Sequence, residues 1–558
     1  MRWTSGLLCL LAVAGVAAAE VPWSPRVDEV FAAYDSTRSP GCALGVVQGG
    51  ELAYGRGYGM ANLEHGVPID TATVFRIGST SKQFTALAIL LLERAGKLAL
   101  DDDVRSYLPE LPASAPPVTI RHLLEHTSGI RDYLTLTWLA GYRDEDYYTD
   151  GDVLDLLSRQ LATDFEPGSR HSYSNSGYFL LSQIVLRVAD RSLREYATEA
   201  IFTPLGMKHS HFHDDHTHVI GRRAAGYAPR DEGGFAISQT ALEMVGDGGV
   251  FTTIEDLVEW DRNFYAPRVG DEALLERMQT PGTTSGGEPL TYALGLIVDD
   301  YRGLRRVRHG GAFVGYRAEL VRFPTEHTSV AVLCNLASTD PTRLALAVAD
   351  VVLEDRLPDR LADRPAAPAA GAEAPASDAG AAVPDPGRWV AAYRHVEEGF
   401  VVRVAADGDG LAIVLPWDES VALAPLGGPL FREKDDPAGS RFEFDAGGFR
   451  QLRDGRDPTV YERVELDPSD RVLEQYVGDY FSSEVGATYR IVLDDGALRL
   501  ENADPRRQAP IEAPLEPTFV DAFQLQHLPI EFDRGADGAI TGFRLSAGRV
   551  RNLLFAKR

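Results

Sequence analysis

Two runs rich in apolar residues, Cys42 to Gln48 and Glu51 to Tyr58, flank a Gly49-Gly50 turn. That spacing predicts a β-hairpin. Further on, Gln83 to Leu92 is a continuous apolar stretch ending near Gly96, and residues 151–162 are amphipathic at helical spacing. Tyr178 to Ala189 and Thr253 to Phe264 also read as helices, and Thr119 to Gly129 fits a short helix with a glycine C-cap. Strand character returns from Tyr292 to Asn335, as three strands with turns at 299–303 and 324–327, before a closing helix from Pro341 to Leu353. Strands at both ends with helices between them imply an α+β domain over residues 20–355. Its two ends would form one antiparallel sheet flanked by helices.

The pattern then changes. Residues 356–387 are rich in Ala and Pro and read as a linker. Residues 388–466 and 471–558 are short alternating runs punctuated by Asp-Gly, Gly-Gly and Pro turns, each suited to a small antiparallel β-barrel. Tyr393 and Tyr480 stand near the start of their segments, which raises a duplicated module as one alternative. The simpler expectation is two β modules that pack against or cap the first domain.

At 558 residues the chain exceeds a single core. A net charge of −27 with no basic tract argues against a nucleic-acid partner. Arg2, the apolar run Leu7 to Val16 and Ala17-Ala18-Ala19 form a secretory signal pattern over residues 1–19. No other run approaches a membrane span, so the expectation is a secreted protein, periplasmic or extracellular. Beyond the signal only Cys42 and Cys334 remain, both inside predicted strands. The reading adopted is two small buried side chains. A disulfide is the alternative, and needs Cα atoms about 4.4–6.8 Å apart.

Ser79 and Lys82 are three residues apart at the start of an apolar helix, which puts hydroxyl and amine on one face. A helix N-terminus suits an oxyanion and eases loss of a proton from a nearby Lys, so Ser79 can become a nucleophile without a histidine. His126 and Ser128 are read as shaping their loop, and Glu166 as serving a Pro-Gly turn. The tract His209, His211, His213, His216 and His218 reads as an exposed loop rather than a metal site. Gly246-Asp247-Gly248-Gly249 lacks the phosphate-loop pattern, so its glycines point to close backbone approach. Neither a metal nor another cofactor is expected.

Ser79-x-x-Lys82, Tyr173-Ser174-Asn175 and His309-Gly310-Gly311 stand out together. With Phe75 to Gln83, His122 to Gly129, Glu166-Pro167-Gly168 and Pro204-Leu205-Gly206-Met207, the chain resembles the penicillin-recognising serine hydrolases. These comprise class C β-lactamases, D-alanyl-D-alanine carboxypeptidases, D-aminopeptidases and related esterases, and the likeness covers roughly residues 25–350. The tail from Gln475 to Tyr480 resembles lipocalin-like modules appended to some D-aminopeptidase relatives. The resemblance implies that Ser79 forms an acyl-enzyme, that Lys82 and Tyr173 share the base work, and that Asn175 orients Lys82 and the substrate. The backbone N–H groups of Ser79 and Ala312 would form the oxyanion hole, worth roughly 3–4 kcal/mol per donor. Gly310 and Gly311 would let substrate backbone lie against their strand.

Many β-lactamases carry K-T-G where this chain has His309-Gly310-Gly311. A His is only partly charged near neutral pH, which turns the expectation from a dedicated β-lactamase toward short peptides containing D-residues. Esterase and β-lactamase activities remain alternatives within the same chemistry. A non-catalytic binder or sensor is the alternative of another class.

Overall fold

The computed structural model describes residues 21–357 and 386–558, apart from 115, 144–145, 409, 418, 435–439, 453–457, 468–471, 505–506 and 508–512. The signal pattern and most of the Ala/Pro linker therefore lie outside the described residues.

The first part of the chain is built on a six-stranded antiparallel sheet. Its order is Ile297–Tyr301, Leu304–Phe313, Tyr316–Phe323, Thr328–Cys334, Cys42–Gln48 and Glu51–Tyr58. The two ends of the domain meet where Cys42–Gln48 pairs with Thr328–Cys334. There are four strands between 297 and 334 where three were expected. The extra turn rests on Val314, at φ 42°, and Gly315. It contains no Pro, Asn or Asp, and Gly315 is its single turn residue, at the end of an apolar run.

Both sheet faces are buried, as the period-two alternation requires. Leu44, Val46, Val321, Val330 and Val332 pack under the helices Ser24–Val30 and Pro341–Val352. The opposite face is lined by smaller residues, among them Ala43, Ala318 and Ala331. Gly45 lets the helix Ile254–Asn263 come close, because a Cβ there would lie 2.4 Å from Ile254 Cγ2. That layer also holds the helices Lys82–Arg94 and Asn175–Ala189, which pack on each other.

The expectation for the cysteines is corrected. Cys42 and Cys334 face each other across adjacent strands and are joined as a disulfide, with Cα atoms 4.0 Å apart, closer than the span expected from sequence. The sequence places both in strands but does not show that the strands are neighbours in register.

Residues 391–464 form a closed eight-stranded barrel. Residues 478–557 form a second eight-stranded sheet in the same meandering order, with first and last strands paired and its two edges joined by a bridge between Arg499 and Pro514 and by Leu515 N donating to Leu498 O at 2.7 Å. Each begins with a short 3-10 turn followed by a buried tyrosine. Tyr393 Oη donates to Trp389 O at 2.8 Å and Tyr480 Oη to Tyr476 O at 2.6 Å, each four residues back. This repeated device favours the duplicated-module alternative.

The second barrel shares one apolar core with the helical layer. Tyr489 Oη donates to Leu139 O, and Gln524 ties this barrel to Val401 of the first. Arg131, buried in the first domain, is held by Asp164 at 3.0 Å and by Glu484 of the barrel at 2.5 Å. Among the described residues no helix is long and apolar enough to cross a membrane.

Candidate active site

Ser79 lies in a 3-10 turn, Gly78–Ser81, and Lys82 is the first residue of the α-helix that follows. The expected helix thus starts one turn later, with Ser79 on the turn that feeds it. Ser81 Oγ donates to Gly78 O at 2.6 Å and accepts from Val250 N at 3.0 Å, which fixes the turn. Gly78 adopts φ 50°, a region costly for other residues.

Lys82 is fully buried. Its Nζ donates to Ser79 Oγ at 3.1 Å, Asn175 Oδ1 at 3.0 Å and the backbone carbonyl of Asp247 at 2.6 Å. Three acceptors match the three protons of an ammonium, yet desolvation pushes its pKa well down, into the neutral range. The buried Asp247 carboxyl, raised mainly by desolvation, pulls Lys82 back up, while Arg549 pushes it further down. Tyr173 Oη is buried and has no hydrogen bond to a described residue. Burial drives its pKa above the usual phenol value. The facing Ser79 hydroxyl and Arg549 lower it, although Ser79 does not reach hydrogen-bond geometry in this state. Of the two base candidates, Lys82 is therefore the one that can be neutral near pH 7, and Tyr173 keeps its proton.

Asn175 opens its helix, three residues before the start expected from the apolar run. Its N–H donates to Asp132 Oδ2 at 2.7 Å, while Asp132 Oδ1 caps the helix Tyr133–Leu139 through Thr135 N. One carboxylate thereby ties two helix N-termini together and places the Asn175 amide on Lys82.

The strand Leu304–Phe313 supplies the other wall. Its neighbour Ile297–Tyr301 pairs no further than Arg308, so residues 309–313 overhang with one backbone edge turned toward Ser79. Thr80 Oγ1 donates to His309 O at 3.1 Å. A Cβ on Gly311 would lie 1.9 Å from Ile77 O, and one on Gly78 would lie 2.8 Å from Ala312 N. Only glycines allow this approach, which brings Ala312 N beside the Ser79 turn. A Cβ on Gly310 would lie 2.7 Å from Glu319 Oε2. Gly311 is thus required by backbone packing, whereas a side chain at 310 would have to displace the Glu319 carboxylate.

His309 differs from the partly charged residue expected. It is buried, with Nδ1 on Gly310 O at 2.6 Å and Nε2 on Tyr292 Oη at 2.9 Å. Desolvation and Lys82 push its pKa down to about 3. It is neutral at pH 7, donating from Nδ1 and accepting at Nε2.

His126 shapes its loop as expected, at φ 56° and accepting from Ser174 N, and its ring also lies 4.1 Å from that of Tyr173. Ser128 and Glu166 have turn roles, accepting from Ile130 N and Ser169 N. The histidine tract is less exposed than expected. His211 and His213 lie against Phe251, and burial pushes them down to about 4 and about 3. Exposed His216 pairs with Glu243 at 2.6 Å, beside Asp215.

Four contributors were not singled out from the sequence: Asp132, Asp247, Tyr292 and Arg549. Asp247 lies in the glycine loop that did stand out. The others come from segments without a motif.

The fold and the clustering of Ser79, Lys82, Tyr173 and Asn175 agree with a family model described as Beta-lactamase, which matches residues 27–353. The chain belongs to the β-lactamase family. It is a serine hydrolase. A D-aminopeptidase of Cereibacter sphaeroides (strain KD131) is 28% identical over 532 residues, spanning 93% of this chain and 96% of that one. Among solved structures, the octameric penicillin-binding protein homologue from Pyrococcus abyssi aligns with a TM-score of 0.55 at 23% identity, covering 79% of this chain and 99% of its own. A penicillin-binding protein from Bacillus halodurans aligns at 0.51 and 26% identity, over 58% and 98%. Similarity to the D-aminopeptidase spans 93% of the chain, whereas the Bacillus structure covers 58%, about the share taken by the β-lactamase family match.

Proposed function

We propose that this β-lactamase family enzyme hydrolyses amide bonds in short peptides containing D-residues, through an acyl-enzyme on Ser79. The observation that carries this is the 3.1 Å contact between Ser79 Oγ and a buried Lys82 whose amine can shed its proton. End-to-end similarity to a D-aminopeptidase supports the substrate class.

Neutral Lys82 takes the Ser79 proton as Oγ attacks the carbonyl carbon. The oxyanion is received by Ser79 N and Ala312 N. Tyr173 then gives its phenolic proton to the leaving nitrogen as the C–N bond breaks. The Lys82 ammonium, 4.8 Å from the Tyr173 ring centre, restores that proton. Water attacks the ester carbon in the second half, its proton passes to the Lys82–Tyr173 pair, and Ser79 Oγ leaves protonated. Where many β-lactamases carry a lysine on this strand, the neutral His309 offers no cation. Export is part of the proposal, supported by the N-terminal signal pattern and by a disulfide that persists in oxidising compartments.

The test is a panel of a D-alanyl p-nitroanilide, its L-isomer, a p-nitrophenyl ester and nitrocefin, with Ser79→Ala as control. The D-amide should be preferred, and Ser79→Ala should lose about three orders of magnitude or more. Wild-type turnover by Ser79→Ala would overturn the nucleophile assignment. Preference for nitrocefin would overturn the substrate class.

A further inference from the structure

The hairpin formed by Ile540–Ala547 and Val550–Lys557 of the second barrel ends over the cleft. Its turn is Gly548-Arg549, with Gly548 at φ 47°. Three contacts fix the backbone around Arg549. Asp132 N donates to Arg549 O, Arg551 N donates to Asp164 Oδ1 at 2.9 Å, and Arg131 donates to Arg551 O at 2.7 Å. Arg131, Asp132 and Asp164 are themselves buried or engaged, so the turn is held by the catalytic domain rather than resting on it.

The guanidinium is treated differently from its backbone. It lies 4.7 Å from the Tyr173 ring centre and leaves 46% of its side chain exposed. Its nearest carboxylate oxygen, Asp132 Oδ2, is 3.7 Å away and is already used by Asn175 N. It forms no side-chain hydrogen bond with a described residue. Arg306 and Arg322, by contrast, are paired directly with Asp299 and Asp261. Arg549 is thus a cation on a rigid support, with donors uncommitted, beside the residue that returns a proton to the leaving group. On the facing strand His309 is hydrogen-bonded at both nitrogens and offers no charge.

We propose that Arg549 binds a carboxylate of the substrate, so that the enzyme selects acidic D-peptides over their neutral or cationic counterparts. This rests on the Ser79 reading above. A planar guanidinium presents paired donors that match a carboxylate. A free amino group in the same place would meet like charge. The carboxylate could belong to the acyl portion or to the leaving portion, and the two are separable.

Binding is measured by calorimetry in a Ser79→Ala background, so that it does not depend on turnover. N-acetyl-D-alanyl-D-alanine is compared with its C-terminal amide for the leaving side. N-succinyl-D-phenylalanine amide is compared with the N-acetyl compound for the acyl side. In one pair the acid should bind roughly tenfold more tightly, and salt should shrink the difference. Arg549→Gln should bring the ratio near one, Arg549→Lys should keep part of it, and Arg549→Glu should reverse it. Thermal unfolding of each variant checks folding. Acid and amide binding alike in both pairs, or a ratio insensitive to Arg549→Gln, overturns the proposal. Hydrolysis surviving Ser79→Ala would instead count against the acyl-enzyme reading, without altering the binding ratios.

Discussion

A lysine that must be neutral when it accepts a proton works only where burial disfavours its charge, and Lys82 meets that condition. Because its pKa lies below the ordinary value, the base form grows as pH rises, so kcat/KM should climb with pH through the neutral range. The Asp247 carboxylate favours the ammonium, so Asp247→Asn should lower the Lys82 pKa further and move the acidic limb to lower pH. Its backbone carbonyl, which accepts from Lys82, is kept. A pH–rate profile on a neutral ester checks this, and a limb that stays put or moves upward would sink the assignment. Ser79, Lys82, Tyr173 and Asn175 were legible in the sequence because each lies in a short run of residue types that the chemistry needs. The neutrality of His309 was not, because it depends on Tyr292 Oη and on burial that no local pattern records.

Among elements, the overhang of Leu304–Phe313 past its neighbour is what opens a backbone edge to the nucleophile turn. Gly311→Ala should push the strand off Ile77 O, costing roughly 1–3 kcal/mol of stability and lowering kcat through misplacement of Ala312 N. Denaturant unfolding together with kcat measures both, and a variant that keeps wild-type kcat would show that the close approach is not needed. Most sheet strands, the long helices and the β character of both barrels were readable from periodicity and turn residues, whereas short helices such as Tyr133–Leu139 and Glu272–Met278 were not. The fourth strand was missed because its turn, Val314-Gly315, offers a single glycine within an otherwise apolar run. The Asn175 helix begins before its apolar run, where its first N–H is received by Asp132 from a distant segment.

At the scale of the whole molecule, two eight-stranded sheets follow the catalytic domain, and the second is joined to it by a common core and by buried charge. Glu484 accepts from Arg131 and from Leu161 N. Glu484→Ala should leave Arg131 with Asp164 as its remaining carboxylate and cost on the order of 3 kcal/mol. It should also reduce kcat/KM, because Arg131 adjoins Asp132, which sets Asn175. Chemical unfolding and kinetics read the two effects, and an unchanged midpoint would show the barrel to be loosely attached. The separate barrels could be seen in the sequence, but their docking could not, since Arg131 and Glu484 are distant in the chain. The bond between Cys42 and Cys334, 292 residues apart, makes the catalytic portion a covalent ring from which both barrels hang as a tail. A single protease cut at an exposed point such as Gly233-Gly234 would open the ring without releasing a fragment. Such nicked protein should run as one species on a non-reducing gel and as two after thiol treatment. A cut beyond Cys334 should release the tail under either condition.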